Sequence, residues 1–303
     1  MSLFFSLVVA CVPGLRLHTA SVDGETRSWY LYVPEAATGP LPVVFAFHGG
    51  GTHGKREGRG FARYTDLVDN AEQDAFIVAF PNSLEGNWND GRFDPDHLPD
   101  GVFPSGVLPD DVAFFDTMLE RVLAETDADP TRVYLTGVSN GAFFSQRLAC
   151  ERTEQIAAVA GVVGGIAPDT AATCAPGVGL PVLSIVGDGD PLVPYEGGAT
   201  ATDRGETLSS DAMMALWRGV NGCDEGTPDQ VALPDLEEDG CRIYHQIWLG
   251  CAASVERVRM AGGGHGWPGK LQYAPRRVIG DVCQELDTNG VLWAFMKEHR
   301  RAP

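Results

Sequence analysis

Short apolar segments alternate along the chain with amphipathic segments of helical period. Between 15 and 33, two extended arms flank the turn Val22-Asp23-Gly24-Glu25, and this pattern predicts an antiparallel hairpin. Continuous apolar runs at 43–47 and 76–80 predict buried strands, and a helical pattern around 64–71 lies between them. A strand, a helix and a second buried strand in succession predict parallel pairing, with the hairpin as an antiparallel edge.

The same alternation continues in the second half of the chain. Asp110 and Asp111 open an amphipathic helix, and we interpret them as capping rather than catalytic residues. Another helix follows Ser139, and a last one covers 290–299. The pattern indicates the α/β class, with helices on both faces of a mostly parallel central sheet. Further strands are predicted at 132–136, 156–163, 181–186, 241–248 and 255–260.

One segment, 81–109, interrupts this alternation because it is long and rich in Pro, Gly and Asp. A loop of this length in a compact domain is commonly a lid or a binding loop. It carries Trp88, which we predict to form an apolar wall for a ligand. Packing of the Trp88 ring onto the core is the alternative, since a buried tryptophan also anchors loops.

Composition narrows the classes of partner. With 41 acidic and 22 basic residues, the formal net charge of −19 disfavours nucleic acid and anionic membrane surfaces. The seven cysteines form no Cys-x-x-Cys pair and no grouping at zinc-ligand spacing, so no metal site is predicted. Their number instead favours two or three disulfides in an oxidising compartment.

The first residues suggest export. Residues 1–20 are interpreted as a signal or lipoprotein segment with its lead-in, and 21–303 as a single catalytic domain. The apolar run ends in Val8-Val9-Ala10-Cys11, which looks like a lipoprotein box with Cys11 as a lipid anchor; a chance cysteine or a mis-assigned start codon is the alternative. No later segment reaches the ~18 apolar residues of a membrane helix. We therefore expect a secreted or periplasmic protein, either soluble or lipid-anchored.

A candidate nucleophile follows the strand predicted at 132–136. Gly137-Val138-Ser139-Asn140-Gly141 has the Gly-x-Ser-x-Gly pattern, in which small residues leave room for a strained turn between a strand and a helix. The turn would lift the Ser139 hydroxyl above the sheet edge. The helix beginning near Asn140 would direct backbone N–H groups towards a developing oxyanion. An ordinary glycine-rich turn is the alternative.

Two further glycine-rich turns complete the candidate site. His48-Gly49-Gly50-Gly51 ends an early strand and suits the second half of an oxyanion hole. Gly187-Asp188-Gly189-Asp190 lies after the strand at 181–186, and we favour Asp190 over Asp188 as the acidic partner. His265, in a glycine-rich loop after the last predicted strand, is the expected base among seven histidines. The order Ser, Asp, His is the order of the α/β-hydrolase arrangement.

Six motifs in sequence order resemble the polyhydroxybutyrate depolymerase and feruloyl esterase family of α/β-hydrolases, over roughly residues 25 to 298. They are Phe47-His48-Gly49-Gly50-Gly51, Pro81-Asn82 with Trp88-Asn89-Asp90-Gly91-Arg92, Asp110-Asp111-Val112, Gly137-Val138-Ser139-Asn140-Gly141, Gly187 to Tyr195, and Gly263-Gly264-His265-Gly266-Trp267-Pro268-Gly269.

This resemblance implies roles for particular residues. It implies Ser139, Asp190 and His265 as the catalytic triad, and Gly50 and the Asn140 backbone as the oxyanion donors. Trp267 lies beside the base and is expected, with Trp88, to contact the substrate. The resemblance also implies disulfides between Cys150 and Cys174, Cys223 and Cys251, and Cys241 and Cys283.

The predicted function is that of a secreted serine esterase that needs no cofactor. Expected substrates are small-molecule or polysaccharide-linked esters, either feruloyl and other hydroxycinnamoyl esters or short hydroxyalkanoate esters. Three alternatives stay open: a depolymerase acting on polyhydroxybutyrate, a serine peptidase of the same fold, and a secreted binding protein without activity. Every triad position is filled, which argues against the last.

Overall fold

A ten-stranded sheet crosses the protein in the computed structural model, which describes residues 12–35, 38–51 and 57–302. The predicted export segment ending at Cys11 lies outside the described residues. The strands are β1 (Arg16–Val22), β2 (Glu25–Tyr32), β3 (Leu41–Phe47), β4 (Ile77–Asn82), β5 (Ala128–Val138), β6 (Ala158–Val162), β7 (Val182–Gly187), β8 (Gly198–Ala199), β9 (Glu206–Thr207), β10 (Asp229–Ala232), β11 (Arg242–Trp248) and β12 (Val255–Ala261).

The sheet order is β1-β2-β4-β3-β5-β6-β7-β12-β11-β10, and β8 and β9 form a separate two-stranded sheet. Strands β3 to β7 and β12 pair in parallel through the centre of the large sheet. The predicted hairpin is confirmed, because Val22 of β1 pairs with Glu25 of β2 across a two-residue turn. Antiparallel strands β11 and β10 close the opposite edge.

Helices cover both faces of this sheet, as the sequence predicts. They are α1 (Glu57–Thr65), α2 (Leu67–Asp74), α3 (Asp111–Glu125), α4 (Asn140–Glu151), α5 (Pro168–Thr173), α6 (Ser210–Asn221), α7 (Arg276–Ile279) and α8 (Thr288–Met296). Helices α3, α4 and α6 contribute to one apolar core, and α1, α2 and α8 contribute to the other.

The central strands are apolar on both faces because they lie between these two cores. In β3, for example, Phe45 and Phe47 join the core of α3 and α4, whereas Val44 and Ala46 join the core of α1 and α2. All seven residues of this strand are buried. Burial on both sides explains the continuous apolar runs and confirms the mostly parallel α/β sheet.

The short elements α5, α7, β8 and β9 were not predicted from the sequence, and two further segments differ from the prediction. The single helix expected around 64–71 is two helices, because Asp66 adopts the left-handed conformation (φ 55°) between α1 and α2. The polar stretch after α6 contains the edge strand β10, whose four residues are all exposed. An edge strand without a buried face has no apolar alternation, so the pattern gave no indication of it.

Asp110 and Asp111 have the structural roles that their position predicts. Asp110 caps α3 by accepting a hydrogen bond from the Ala113 N–H at 2.9 Å. Asp111 is buried beside Arg27, with 2.5 Å between its Oδ1 and the guanidinium. It also accepts a hydrogen bond from the Asn89 N–H at 2.7 Å. This pair therefore ties the first hairpin and the long loop to the start of α3.

The three disulfides implied by the resemblance are confirmed: Cys150–Cys174, Cys223–Cys251 and Cys241–Cys283. The first joins the last turn of α4 to the residue after α5. The second connects the end of α6 to the turn between β11 and β12. In the part of the chain that the structure describes, no helix is long and apolar enough to span a membrane.

Candidate active site

Ser139 occupies a strained turn between β5 and α4, as the Gly-x-Ser-x-Gly pattern predicts. Its backbone has φ 55° and ψ −124°, a conformation that costs free energy in any residue other than glycine. A Cβ atom on Gly137 would lie 2.5 Å from the backbone of Gly141. A Cβ atom on Gly141 would lie 2.2 Å from the carbonyl oxygen of Phe47. Both positions therefore require glycine.

Asp190 and His265 come from two different loops at the same edge of the sheet. The His265 Nδ1 and the Asp190 Oδ2 are 2.7 Å apart, and both side chains are buried. The second carboxylate oxygen, Oδ1, accepts hydrogen bonds from the N–H groups of Leu192 and Val193 at 2.8 and 2.9 Å. These bonds hold the carboxylate in place and leave Oδ2 for the imidazole.

The neighbouring Asp188 binds other groups than the histidine. Its carboxylate lies 2.7 Å from the guanidinium of Arg259 and accepts a hydrogen bond from the Gly262 N–H at 2.7 Å. Asp188 therefore anchors the loop that leads to His265, while Asp190 contacts the histidine itself. This geometry agrees with the choice of Asp190 over Asp188.

A cavity of about 580 Å³ opens over these residues. Ser139 and His265 both line it, and Asp190 lies behind His265. The remaining lining residues form a mostly apolar wall with a few polar groups: His48, Gly49, Gly50, Glu57, Gly60, Phe61, Tyr64, Arg92, Val138, Asn140, Leu192, Val193, Thr200, Ala201, Arg204, Tyr273 and Val278. Such a surface suits a small molecule with an apolar part.

The glycine-rich turn after β3 lies against the turn of Ser139. A Cβ atom on Gly49 would lie 3.4 Å from the Cβ of Ser139, and one on Gly50 would lie 3.2 Å from the Cβ of Asn140. The structure thus brings Gly50 and Asn140, the two predicted oxyanion donors, to the same side of Ser139. A side chain at Gly50 would also collide with the Asn87 Oδ1 at 2.6 Å.

The Asn140 side chain connects this site to the long loop. Its Oδ1 accepts a hydrogen bond from the Trp88 N–H at 2.7 Å, and its Nδ2 donates to the Trp88 carbonyl at 3.0 Å. The Nδ2 also donates to Asp90 Oδ2 at 2.6 Å. The side-chain Oδ1 of Asn87, in the same loop, accepts a hydrogen bond from the Gly51 N–H at 3.0 Å. The side chains of Asn87 and Asp90 therefore hold the two turns, which the sequence did not indicate.

Trp88 and Trp267 do not form a wall of the cavity, which corrects the prediction. Both side chains are 0% exposed. The Trp88 ring stacks on Phe144, and its Nε1–H donates to the His48 carbonyl at 3.0 Å. The Trp267 Nε1–H donates to the Asn289 Oδ1 at 3.0 Å. Each indole has found its hydrogen-bond partner inside the core, so both residues hold loops in place instead of contacting a ligand.

Two arginines at the cavity were not predicted as site residues. Arg92 forms an ion pair with Asp90, at 2.6 Å, and its guanidinium lies 3.9 Å from the centre of the Phe143 ring. Arg204 donates to the Asn87 Oδ1 at 2.7 Å. The motif Trp88-Asn89-Asp90-Gly91-Arg92 was visible in the sequence, but Arg204 lies in a short turn without any periodic pattern.

Comparison with known proteins shows which proteins this chain resembles. No protein-family model matches it. It is 29% identical over 287 residues to the "Putative esterase NocK" of Nocardia uniformis subsp. tsuyamanensis, covering 88% of this chain and 78% of that protein. It is 26% identical over 260 residues to feruloyl esterase C of Emericella nidulans, covering 84% and 82%.

The crystal structure of a thermostable esterase superposes with a TM-score of 0.62 at 14% identity, over 95% of this chain and 64% of that one. The chain therefore spans less than two thirds of that structure, and the likeness concerns the fold. The sheet order and the superposition show the α/β-hydrolase fold. The two relatives agree with the predicted resemblance to feruloyl esterases, and they support a carboxylic-ester hydrolase.

Proposed function

We propose that the protein is a serine esterase with Ser139 as nucleophile, His265 as base and Asp190 as the residue that orients the base. The main support is the 2.7 Å contact between His265 Nδ1 and Asp190 Oδ2, in a cavity that Ser139 also lines. This contact favours the tautomer with the proton on Nδ1, so that Nε2 is free to accept the serine proton.

The reaction proceeds in two acyl-transfer steps. His265 removes the Ser139 proton as the oxygen attacks the ester carbonyl, and then protonates the departing alcohol. Water, activated by the same histidine, releases the acid from the acyl-enzyme. The backbone N–H groups of Gly50 and Asn140 stabilise the oxyanion of each tetrahedral intermediate, and the N-terminus of α4 adds a partial positive charge.

The proposed substrate class is supported by the cavity wall and by the relatives. Phe61, Tyr64, Leu192 and Val193 offer an apolar surface for a hydroxycinnamoyl ring or a short alkanoate chain. The similarity to feruloyl esterase C favours the hydroxycinnamoyl ring.

A comparison of kcat/KM for methyl ferulate, a hydroxybutyrate trimer and 4-nitrophenyl acetate ranks these substrate classes. Activity confined to peptide bonds, or efficient degradation of solid polyhydroxybutyrate film, would contradict this substrate class.

Export to the extracellular space or the periplasm is part of the proposal. It is supported by the three disulfides, since such bonds persist in oxidising compartments. Lipidation of Cys11 would anchor the protein at the surface of the membrane. Mass analysis of the exported protein tests this lipidation. A chain that begins at Cys11 and carries a diacylglyceryl group differs in mass from the same chain without the lipid and from the uncleaved chain.

The proposed nucleophile is tested by labelling with a fluorophosphonate probe. We expect the wild-type protein to be labelled at Ser139 and the Ser139→Ala variant to lose both labelling and esterase activity, by a factor on the order of 10⁶. Ser145→Ala is the control, because Ser145 lies six residues after Ser139 in α4 and its buried hydroxyl donates to the Gly141 carbonyl at 2.8 Å. A folded wild-type protein that hydrolyses esters without labelling at Ser139 would disprove the assignment.

A further inference from the structure

The two arginines at the cavity differ in how their charges are balanced. Arg92 is almost fully buried and bound to Asp90 by both its Nε and its NH2, at 2.9 and 2.6 Å. The charges of Arg92 and Asp90 therefore compensate each other. Arg204, in the turn between β8 and β9, has no such partner: among the described residues, no carboxylate lies within 4 Å of its guanidinium.

Among the described residues, the guanidinium of Arg204 forms one hydrogen bond, and its partner is a neutral group. Its NH1 donates to the amide oxygen of Asn87 at 2.7 Å. Burial, together with the nearby charge of Arg92, lowers the pKa of Arg204. An arginine keeps its proton at neutral pH all the same. The Asp90 carboxylate acts on Arg204 only from a distance, since it is bound to Arg92. Arg204 is therefore a partly desolvated cation that lines the cavity, and no carboxylate of the described residues forms an ion pair with it.

Arg204 lies beside the proposed oxyanion hole. A Cβ atom on Gly50 would lie 2.8 Å from the Arg204 NH1 and 3.2 Å from the Asn140 Cβ. A Cβ atom on Gly51 would lie 3.2 Å from the Arg204 NH2. The guanidinium therefore packs against the bare backbone of the glycine-rich turn, within reach of any group attached close to a bound ester.

The carboxylates elsewhere around the cavity are engaged with other groups. Glu57 lies 3.2 Å from the His48 Nε2 and accepts a hydrogen bond from the Ser83 hydroxyl at 2.9 Å. Asp190 is bound to His265. Neither is among the ion-pair partners of Arg204, so the charge of Arg204 is available to a ligand.

We propose that Arg204 binds a carboxylate of the substrate, and that the enzyme therefore prefers esters that carry a carboxylate near the scissile bond. This inference rests on the proposed esterase function. A guanidinium forms two parallel hydrogen bonds with a carboxylate, and partial burial strengthens them. The protein as a whole carries a charge of −19, which does not attract anions, so recognition depends on this local group.

Two matched pairs of esters test the proposal with the full-length enzyme. On the acyl side, mono-4-nitrophenyl adipate is compared with its methyl-capped form, by release of 4-nitrophenol. On the alcohol side, the 3-hydroxybutyrate dimer acid is compared with its terminal amide. We expect the charged ester of at least one pair to have the higher kcat/KM, and the pair that responds identifies the side on which the carboxylate binds.

The variants Arg204→Gln and Arg204→Lys connect this preference to the residue. We expect Arg204→Gln to reduce the charged-to-neutral ratio of kcat/KM roughly tenfold or more, mainly through KM. Arg204→Lys should keep part of the ratio because it keeps the charge. Arg121→Gln is the control, since it removes an equal charge from α3, where Arg121 pairs with Glu125 at 2.6 Å. Thermal unfolding of each variant verifies that it is folded.

Three results would overturn the proposal. Neutral and charged esters could be hydrolysed equally well by the wild-type enzyme in both pairs. Arg204→Gln could lower kcat by the same factor for charged and neutral esters, which would assign the guanidinium to the oxyanion instead of to a substrate carboxylate. Finally, the absence of hydrolysis of every ester by the folded wild-type protein would remove the proposed function itself, an outcome distinct from the other two.

Discussion

The Asp190 carboxylate binds His265 with one oxygen and two backbone N–H groups with the other. Asp190 is therefore rigidly positioned before any substrate arrives. In the proposed mechanism, the contact with His265 would select one tautomer of the imidazole and stabilise the imidazolium ion that forms during acyl transfer.

Asp190→Asn should consequently abolish most of the activity without unfolding the protein. The amide can donate to Nδ1, which favours the wrong tautomer, and kcat should fall on the order of 10⁴-fold with little change in KM. Asp188→Asn is the matched control because Asp188 pairs with Arg259 and not with the histidine. A larger loss of kcat in the control than in Asp190→Asn would exchange the roles of the two aspartates.

Asn140→Ala should affect both stability and activity. It removes the three hydrogen bonds that hold Trp88 and Asp90 to the start of α4. We expect the free energy of unfolding to fall by about 1–3 kcal/mol, because buried partners are left unsatisfied. We also expect kcat/KM to fall, since the long loop and the Asn140 N–H lose their alignment.

A second buried asparagine separates the two effects. Asn221 makes the same pair of bonds to the backbone of Leu180, at 2.9 and 2.7 Å, away from the cavity. Asn221→Ala should destabilise the protein in urea to a similar degree and leave kcat/KM for 4-nitrophenyl acetate unchanged. Equal losses of kcat/KM in both variants would show that the Asn140 side chain has no special role at the site.

The double variant Cys150→Ser, Cys174→Ser should be less stable but still active. The disulfide spans 24 residues, and the loss of loop closure in the unfolded state costs about 3 kcal/mol. Denaturant unfolding at 25 °C measures this cost, and esterase assays at the same temperature measure the activity. Peptide mapping of the wild-type protein without reducing agent provides the control, and free thiols at both positions would contradict the pairing.

His299 should make the protein less stable in acid. Burial lowers the pKa of His299 below its usual value. The unfolded chain therefore binds this proton more readily than the folded one, and the stability that the neutral form contributes is lost as the pH falls from about 6.5 through the lowered pKa. We expect the drop in Tm between pH 7.5 and pH 5 to be smaller in His299→Gln than in the wild-type protein. An equal drop would exclude His299 as a contributor.

The features that were predicted correctly are those that leave a pattern in a short stretch of the sequence. Gly137 and Gly141 have no room for a Cβ atom, and β3 is apolar throughout because both of its faces are covered. Each constraint fixes the residue types in a short run of consecutive positions, so it is visible in the sequence even where the contact comes from a distant segment.

The misassigned residues depend on contacts between distant segments. A tryptophan near a glycine-rich turn can line a cavity or fill a core, and the partners of Trp88 and Trp267, such as Phe144 and Asn289, decide between the two. Arg204 meets Asn87 across 117 residues of sequence. Neither the composition nor the periodicity of the turn around Arg204 contains information about that contact.

The positions of the disulfides divide the chain in a way that matters for refolding. The three disulfides of the described residues close loops between Cys150 and Cys283, whereas Ser139 precedes all of them. In the oxidised unfolded chain, His265 lies inside the loop closed by Cys241 and Cys283, whereas Ser139 and Asp190 lie outside every closed loop and have more conformations to lose. One member of the proposed triad, the base, thus starts each refolding event on a restrained segment, and the nucleophile and the acidic residue must reach it from unrestrained ones.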